Sequence, residues 1–319
     1  MKKIIKDILK KIGIFNFLKN MKEERIRKSK LTNNFKFENR KKDKEKVCFV
    51  LAGYKEFTYD IIFKRIKKFI PDDIEVCILS SGIYSEKLSN IAKNNDWSYI
   101  STKRNNVSLV QNVAITQFEK AKYIYKLDED IFVTNGFFET LFKTYNDCMV
   151  NGEYRPGLIA PTIPINGFGH FNVLKRFDLV EYYTENFEKP IYAAGPNRMI
   201  ENNPDVAMFF WGKGNYIPQI DKMNEILKND KFDYVACPIR FSIGAILYSR
   251  EFWEEMKMFK VYDGPGMGKD EEDMCGFCIN TSRAIIVSLN TVVGHLSFGK
   301  QNKPMEEYFK NNKMTFEIR

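Results

Sequence analysis

A mostly parallel, doubly wound α/β sheet is the fold this 319-residue sequence predicts. Short apolar runs alternate with amphipathic helical segments from residue 47 onward, the pattern of strand–helix–strand units. One of these runs, residues 123–127, ends in three consecutive acids, Asp128-Glu129-Asp130, before apolar residues resume. Three earlier strand ends, at Gly53, at 80–82 and at Arg104-Asn105, would line one edge of the sheet with those acids. Open α/β sheets bind their ligands at that edge.

The elements follow in order. Residues 47–51 read as the first strand, entering a loop at Ala52-Gly53-Tyr54. A helix is predicted over 60–69, with Phe63, Ile66 and Ile70 apolar, and Pro71-Asp72-Asp73 breaks it. Residues 74–79 form the second strand, 85–94 a helix and 97–100 the third strand. A helix over 109–119 leads into the acid-ended strand. Between 151 and 238 the pattern fades into an irregular, surface-lining region, interrupted by Pro156, Pro161, Pro164, Pro190, Pro196, Pro204 and Pro218. Its aromatics, among them Phe168, Phe171, Tyr192, Phe209, Phe210, Trp211 and Tyr216, are mostly core, with two or three left to line a groove. Regularity returns at 241–259.

Charge is unevenly placed. Residues 1–46 carry 17 Lys/Arg and 6 Asp/Glu, a net of +11, whereas the remaining 33 basic and 35 acidic residues give −2. A near-neutral body argues against nucleic acid, which selects a basic face. In the arm, Ile4, Ile5, Ile8, Leu9, Ile12, Phe15 and Leu18 recur at helical spacing among lysines. Lys and Asp7 break the run too often for a spanning helix or a signal-peptide core. A basic amphipathic helix over residues 1–20 reads as an anchor on an anionic membrane surface, with the protein cytoplasmic and peripheral on the inner face. Residues 20–46 read as a solvated linker. The six cysteines form no secreted disulfide framework and are expected as reduced thiols. Cys275 and Cys278, although at redox-motif spacing, lack a strand context for that role.

An unpaired carboxylate is expensive to bury, so acids closing an apolar strand are tolerated where they meet water, a metal or a ligand. Asp128 and Asp130 would point to opposite faces of a regular strand, so the chain must turn there for both to serve one cation. Oxygen ligands of this kind suit Mg2+ or Mn2+ bridging to phosphates. Arg104, Lys126 and Lys103 are possible phosphate contacts. Further along come a small-residue segment around Gly244, a strand and an Arg-led helix, and a glycine loop at 263–269. Asp270-Glu271-Glu272-Asp273 opens a helix, where acids favour the positive dipole end. A strand then ends in Val292-Val293-Gly294-His295, with one of the chain's two histidines.

This order resembles the inverting glycosyltransferases of GT-A type, close to the large family 2 class, over residues 46–300. The resemblance implies a Rossmann-like domain at 47–319, split into a nucleotide-binding half (47–150) and an acceptor-binding half (151–319), after an arm at 1–46. It makes Asp128 and Asp130 the Asp-x-Asp metal motif, with His295 as a further ligand. Asp273 becomes the base that deprotonates the acceptor, and Glu272 its rival, because a one-residue shift of the helix start would exchange them. Ala52, Gly53, Ser80, Arg104, Asp128 and Gly244 would meet the nucleotide-sugar. The second strand ends in Ser80-Ser81-Gly82 where the family often has an Asp. The implied reaction transfers a hexosyl or N-acetylhexosaminyl unit from a UDP-sugar to a glycan or lipid-linked hydroxyl, with Mn2+ or Mg2+, as in surface polysaccharide synthesis. The alternatives are a sugar nucleotidyltransferase, a two-metal nuclease and a membrane-anchored carbohydrate-binding protein. The first needs a Gly-rich basic loop after the first strand, which residues 51–56 do not supply.

Overall fold

The computed structural model describes residues 14–193 and 198–318. Its central sheet begins with β1 (Phe35–Glu38), β2 (Lys46–Leu51), β3 (Ile74–Ser81), β4 (Ser98–Thr102) and β5 (Tyr123–Asp128). It continues with β7 (Pro156–Thr162), β8 (Tyr234–Ala236), β9 (Ala245–Ser249) and β10 (Ala284–Val292). The strands lie in the order β1-β4-β3-β2-β5-β9-β7-β10-β8. Strands β4, β3, β2 and β5 are parallel, β9 runs against its neighbours, and β10 is parallel to β7. The chain therefore winds outward from β2 through β3 to β4 and then crosses to β5 on the other side. That reversal between β2 and β5 is the switch point at which such sheets open a crevice. Val47, Cys48, Phe49 and Val50 are at most 1% exposed, so β2 is covered on both faces, as its unbroken apolar run requires.

The helices begin where side chains can serve free backbone N–H groups. In α3 (Glu86–Asn94), Ser85 accepts from the Leu88 amide. In α4 (Val107–Gln117), Asn106 accepts from the Leu109 amide. In α11 (Arg250–Glu255), Ser249 accepts from the Phe252 amide. The buried Arg65 of α2 (Tyr59–Phe69) is fully satisfied: it forms a two-pronged pair with Asp221, both contacts at 2.8 Å, and donates to the carbonyls of Val133, Phe316 and Glu317. One guanidinium thus ties the first half of the chain to its C-terminal tail.

Two expectations are corrected. Part of the presumed linker belongs to the fold: β1 pairs antiparallel with β4, and the Glu75 carboxylate accepts the amides of Lys42 and Lys44 at 2.7 and 3.0 Å. Before it, α1 (Ile14–Ser29) is followed by Lys30, whose ammonium donates to the Lys257 carbonyl at 2.6 Å. The apolar stripe from Ile4 to Ile12 lies outside the described residues. Second, the proline-interrupted region supplies β7, an interior strand of the sheet. Proline cannot donate to a ladder, so a strand containing two is not read from sequence. Here Pro156 is the strand's first residue and Pro161 sits where the pairing with β10 shifts register. Short helices fill the rest of that region, including α6 (Gly169–Arg176), α9 (Pro204–Phe210) and α10 (Ile220–Asn229).

His170 of α6 is 2% exposed, and its Nδ1 donates to the Asn166 carbonyl at 3.1 Å. Burial lowers its pKa from 6.5 to about 4. The unfolded chain therefore takes up this proton first, and the associated stability, intact above pH 6.5, is lost as the pH falls towards 4. The stability difference between wild type and His170→Gln, from urea unfolding, should shift by about 3 kcal/mol across that window. A difference that stays flat with pH would contradict a buried neutral imidazole.

Candidate active site

A cavity of about 540 Å3 opens at the carboxyl edge of the sheet, over the switch point between β2 and β5. Leu51 and Ala52 enter it from the end of β2, and Leu79 and Ser81 from β3. The acids Asp128, Glu129 and Asp130 enter from the end of β5. Pro265, Met267 and Gly268 of the glycine loop reach the same space, as do Asp270 and Glu271 at the start of α12 (Lys269–Asn280). A further wall is formed by His295, Ser297, Phe298, Gly299 and Asn302.

The acids diverge because the strand stops at Asp128 and the chain turns through Glu129 and Asp130 into β6 (Ile131–Phe132). Glu129 turns inward and is 8% exposed. It accepts the Gly53 amide at 2.8 Å, the Tyr54 amide at 3.0 Å and the Tyr59 hydroxyl at 3.1 Å. Its own carbonyl accepts from Thr58 Oγ1 at 2.7 Å. Burial pushes the Glu129 carboxyl up, and these backbone donors act against that. Glu129 therefore fixes the loop after β2. The consecutive amides of Gly53 and Tyr54 are spent on it rather than on a ligand.

Asp130 is 3% exposed and meets two cations or potential cations at one oxygen: Lys55 Nζ at 2.5 Å and His295 Nε2 at 3.3 Å. Burial alone would raise its pKa, but His295 and Lys55 outweigh it and hold the carboxyl well below the ordinary range. His295 arrives through backbone pairing. Ile131 of β6 is matched to His295 of β11 (Gly294–His295), and the Leu296 amide donates to the Asp130 carbonyl at 3.0 Å. The Trp211 indole donates to the His295 carbonyl at 3.2 Å and lies over Gly294, where a Cβ would come within 2.2 Å of the ring. Only glycine allows that approach.

Asp128 is held differently. Lys126, two residues earlier on β5, is 3% exposed and its ammonium lies 2.6 Å from Asp128 Oδ1. Burial disfavours the Lys126 charge, yet Asp128, Asp270 and Glu271 together raise its pKa. Gly244 packs against the same carboxylate: its carbonyl accepts the Asp128 amide at 2.8 Å, and a Cβ there would stand 3.3 Å from Asp128 Oδ2.

The acids of α12 separate by helical phase. Asp270 is 4% exposed and accepts from Gln111 Nε2 at 2.9 Å. Glu271 is bonded by Arg240 and accepts the Ile243 amide at 3.3 Å. Burial pushes its carboxyl up, and Arg240 offsets part of that rise. Glu272 turns outward to Lys269, 2.6 Å away. Asp273 accepts from the Lys260 amide at 3.1 Å and the Tyr262 hydroxyl at 2.9 Å, tying down the approach to the glycine loop. Thus Asp270 and Glu271 line the cavity, and the two residues nominated as base do not.

Other nominated residues divide in the same way. Ala52, Asp128, Asp130 and His295 meet at the cavity. Gly53 and Gly244 shape its backbone. Ser80 points to the opposite face of β3, where its hydroxyl meets Tyr99 Oη at 2.5 Å, and Ser81 takes the cavity side. Arg104 donates to the Tyr262 carbonyl at 2.9 Å, outside the cavity lining. Asn105 lines the cavity from the strand end expected to do so, and Lys55 and Phe298 were not foreseen. All six cysteines are buried and free, and burial lifts Cys275 and Cys278 to about 12, which keeps them as inert thiols.

Among the described residues, no group of three or more His, Cys, Asp or Glu side chains stands ready to hold a metal. Asp130 and His295 do converge, and His295 Nδ1 is buried without a hydrogen-bond partner. The carboxylate oxygens suit Mn2+ or Mg2+, and the imidazole nitrogen beside them favours Mn2+ of the two.

No family model and no curated protein matches this chain. Among solved structures it is similar to GalNAc-T7 with UDP, GalNAc and Mn2+, at 12% identity and a TM-score of 0.45, over 82% of this chain and 45% of that one. It is also similar to the mannosyltransferase PcManGT from Pyrobaculum calidifontis in complex with GDP-Man and Mn2+, at 11% identity and a TM-score of 0.46. That match covers 79% of this chain and 57% of that one. The chain thus spans about half the length of these proteins. Among the described residues, no helix is long and apolar enough to cross a membrane.

The buried Lys126 yields a test of the site's electrostatics. Replacing it with Met leaves Asp128 and its acidic neighbours without their counter-ion and should cost about 3–5 kcal/mol in urea unfolding. Adding Asp128→Asn to that variant should recover part of the loss, because a neutral amide needs no partner. Equal stability of both variants to wild type would contradict the pairing.

Proposed function

We propose that this chain is a GT-A-type glycosyltransferase moving a sugar from a nucleotide diphosphate, UDP in the first instance, to a hydroxyl of a glycan or lipid-linked acceptor. One observation carries the reading. A carboxylate–imidazole pair, Asp130 and His295, shares a switch-point cavity with a half-buried helix-borne carboxylate, Glu271. Scaffold or lectin-like readings give no reason to gather unlike titratable groups in one pocket.

Sugar transfer needs charge stabilised on a departing diphosphate and a proton removed from a weakly nucleophilic hydroxyl. Mn2+ or Mg2+ held by Asp130 and His295, with Asp128 beside them, would supply Lewis-acid stabilisation of that diphosphate. Glu271 is the base in this reading, replacing Asp273 and Glu272. Its raised pKa makes it a better proton acceptor than an ordinary surface carboxylate. Asp270 is 4% exposed beneath Gln111, which favours a positioning role, whereas the Glu271 side chain keeps 18% of its surface open. A single base with no second carboxylate as nucleophile corresponds to direct displacement with inversion. The cavity volume suits a nucleotide-sized ligand.

Glu271→Gln should lower transfer by about 10²–10⁴-fold while leaving donor affinity in place. Asp273→Asn and Glu272→Gln should transfer at near wild-type rates. In wild type, kcat/KM should fall as the pH drops through the raised Glu271 pKa, since only the carboxylate accepts a proton. An active Glu271→Gln beside a dead Asp273→Asn would return the role of base to Asp273. Loss of metal-dependent nucleotide binding in Asp130→Ala is expected, and its persistence would remove Asp130 from the metal site.

The basic arm is proposed to hold the enzyme on an anionic membrane surface, where lipid-linked acceptors reside. Each basic side chain near such a surface contributes about 1 kcal/mol. Deleting residues 1–20 should abolish salt-sensitive binding to phosphatidylserine-containing vesicles, with turnover of a soluble acceptor kept. Vesicle binding that survives the deletion would exclude the arm as anchor.

A further inference from the structure

The two acids of the Asp-x-Asp motif each already have a lysine of their own: Asp128 has Lys126 and Asp130 has Lys55. The two pairs differ in mobility. Lys126 is locked inside a central strand with 4% of its side chain exposed. Lys55 comes from the loop after β2, and 27% of its side chain is exposed at the cavity, whereas the Asp130 carboxylate is at 4%. The backbone under Lys55 is held fast. Its carbonyl accepts from the Thr58 amide at 3.0 Å and from Thr58 Oγ1 at 2.8 Å, and the two preceding amides bind Glu129. Only the flexible stem is free to swing, and it ends in a compact, strongly hydrated point charge that rotates easily between anionic partners.

We infer that Lys55 is a tethered cation which occupies Asp130 until a nucleotide diphosphate offers it a second anion, so that donor and divalent metal bind together. The inference rests on the glycosyltransferase reading above and deepens it. Lys55 Nζ and His295 Nε2 address the same oxygen, Asp130 Oδ2, at 2.5 and 3.3 Å. A divalent ion coordinated there must displace the ammonium, because two cations in contact with one buried oxygen repel. With no phosphate present the displaced ammonium finds only Glu129 and Asp128, which are already engaged by backbone amides and by Lys126, and metal binding alone is weakened. With the diphosphate in the cavity, the ammonium passes to a phosphate oxygen and Asp130 is freed for the metal. Lys55 is then a positioning residue for the metal and a binding residue for the donor. Its effects on the two ligands have opposite signs.

The experiment compares wild type, Lys55→Met and Lys55→Arg. It measures Mn2+ binding by electron paramagnetic resonance without nucleotide, and UDP binding by calorimetry with and without Mn2+. Lys55→Met keeps the length of the stem and removes the charge, and thermal unfolding checks that each variant is folded. The expected result is Mn2+ binding about tenfold tighter in Lys55→Met in the absence of UDP, with UDP binding about tenfold weaker and the mutual enhancement of the two ligands reduced to what direct contact between ion and diphosphate supplies. Lys55→Arg, which keeps the charge, should retain that mutual enhancement. Mn2+ affinity that is unchanged or reduced in Lys55→Met, in a wild type that binds Mn2+ and UDP, would overturn this inference alone. A folded wild type that binds neither Mn2+ nor UDP would overturn the glycosyltransferase reading together with it.

Discussion

The site depends on one buried ammonium. Lys126 sits inside the central strand β5, flanked in register by Phe49 of β2 and Ile246 of β9, and is 3% exposed. A charge so placed is tolerable only if paired, and Asp128 supplies the partner at 2.6 Å. The charges of Asp270 and Glu271, brought from the far end of the chain, act on the same ammonium. Lys126 thus pairs with Asp128 on its own strand and carries the charge that the two acids at the start of α12 face across the cavity.

A second constraint works beside it. The middle acid of the triplet, Glu129, is a structural group: it fastens the loop after β2 through two backbone amides and the Tyr59 hydroxyl. That loop carries Lys55 to Asp130, and the β6–β11 pairing carries His295 to the same carboxylate from the opposite end of the sequence. Three adjacent acids therefore have three separate duties. Asp128 answers the buried lysine, Glu129 holds a loop, and Asp130 is left facing an imidazole and a movable ammonium. The turn at Glu129-Asp130, which breaks strand alternation, makes this division possible.

Much of this was legible in the sequence. The alternation of apolar runs and amphipathic segments placed β2 through β5 and their helices to within a few residues. The acid-ended strand located the cavity, and glycine 294 followed by His295 marked a real strand end. What was not legible has identifiable causes. Strand β3 is buried on both faces, so no polar alternation tells Ser80 from Ser81, and it is Ser81 that faces the cavity. In the run at 270–273, the helix starts one residue before the acids, at Lys269, and Gly268 caps it in the left-handed region at φ +73°. That phase, which no local residue announces, turns Glu271 inward and Asp273 to the Lys260–Tyr262 segment. Lys55 was invisible because a lysine in a polar loop is ordinarily a surface charge. Its role arises only when the chain brings residue 130 alongside. Strand β7 was hidden by its prolines.

The central claim is that the switch-point cavity takes a nucleotide diphosphate with a divalent ion at Asp130 and His295. The most direct measurement is the anomalous scattering of manganese in crystals of the full chain grown with UDP and Mn2+. The account predicts a single strong peak in contact with Asp130 and His295, with the diphosphate bound at the same ion and the Lys55 ammonium moved from the carboxylate to a phosphate oxygen. Nucleotide bound elsewhere, or manganese absent from this cavity while UDP fills it, would contradict it.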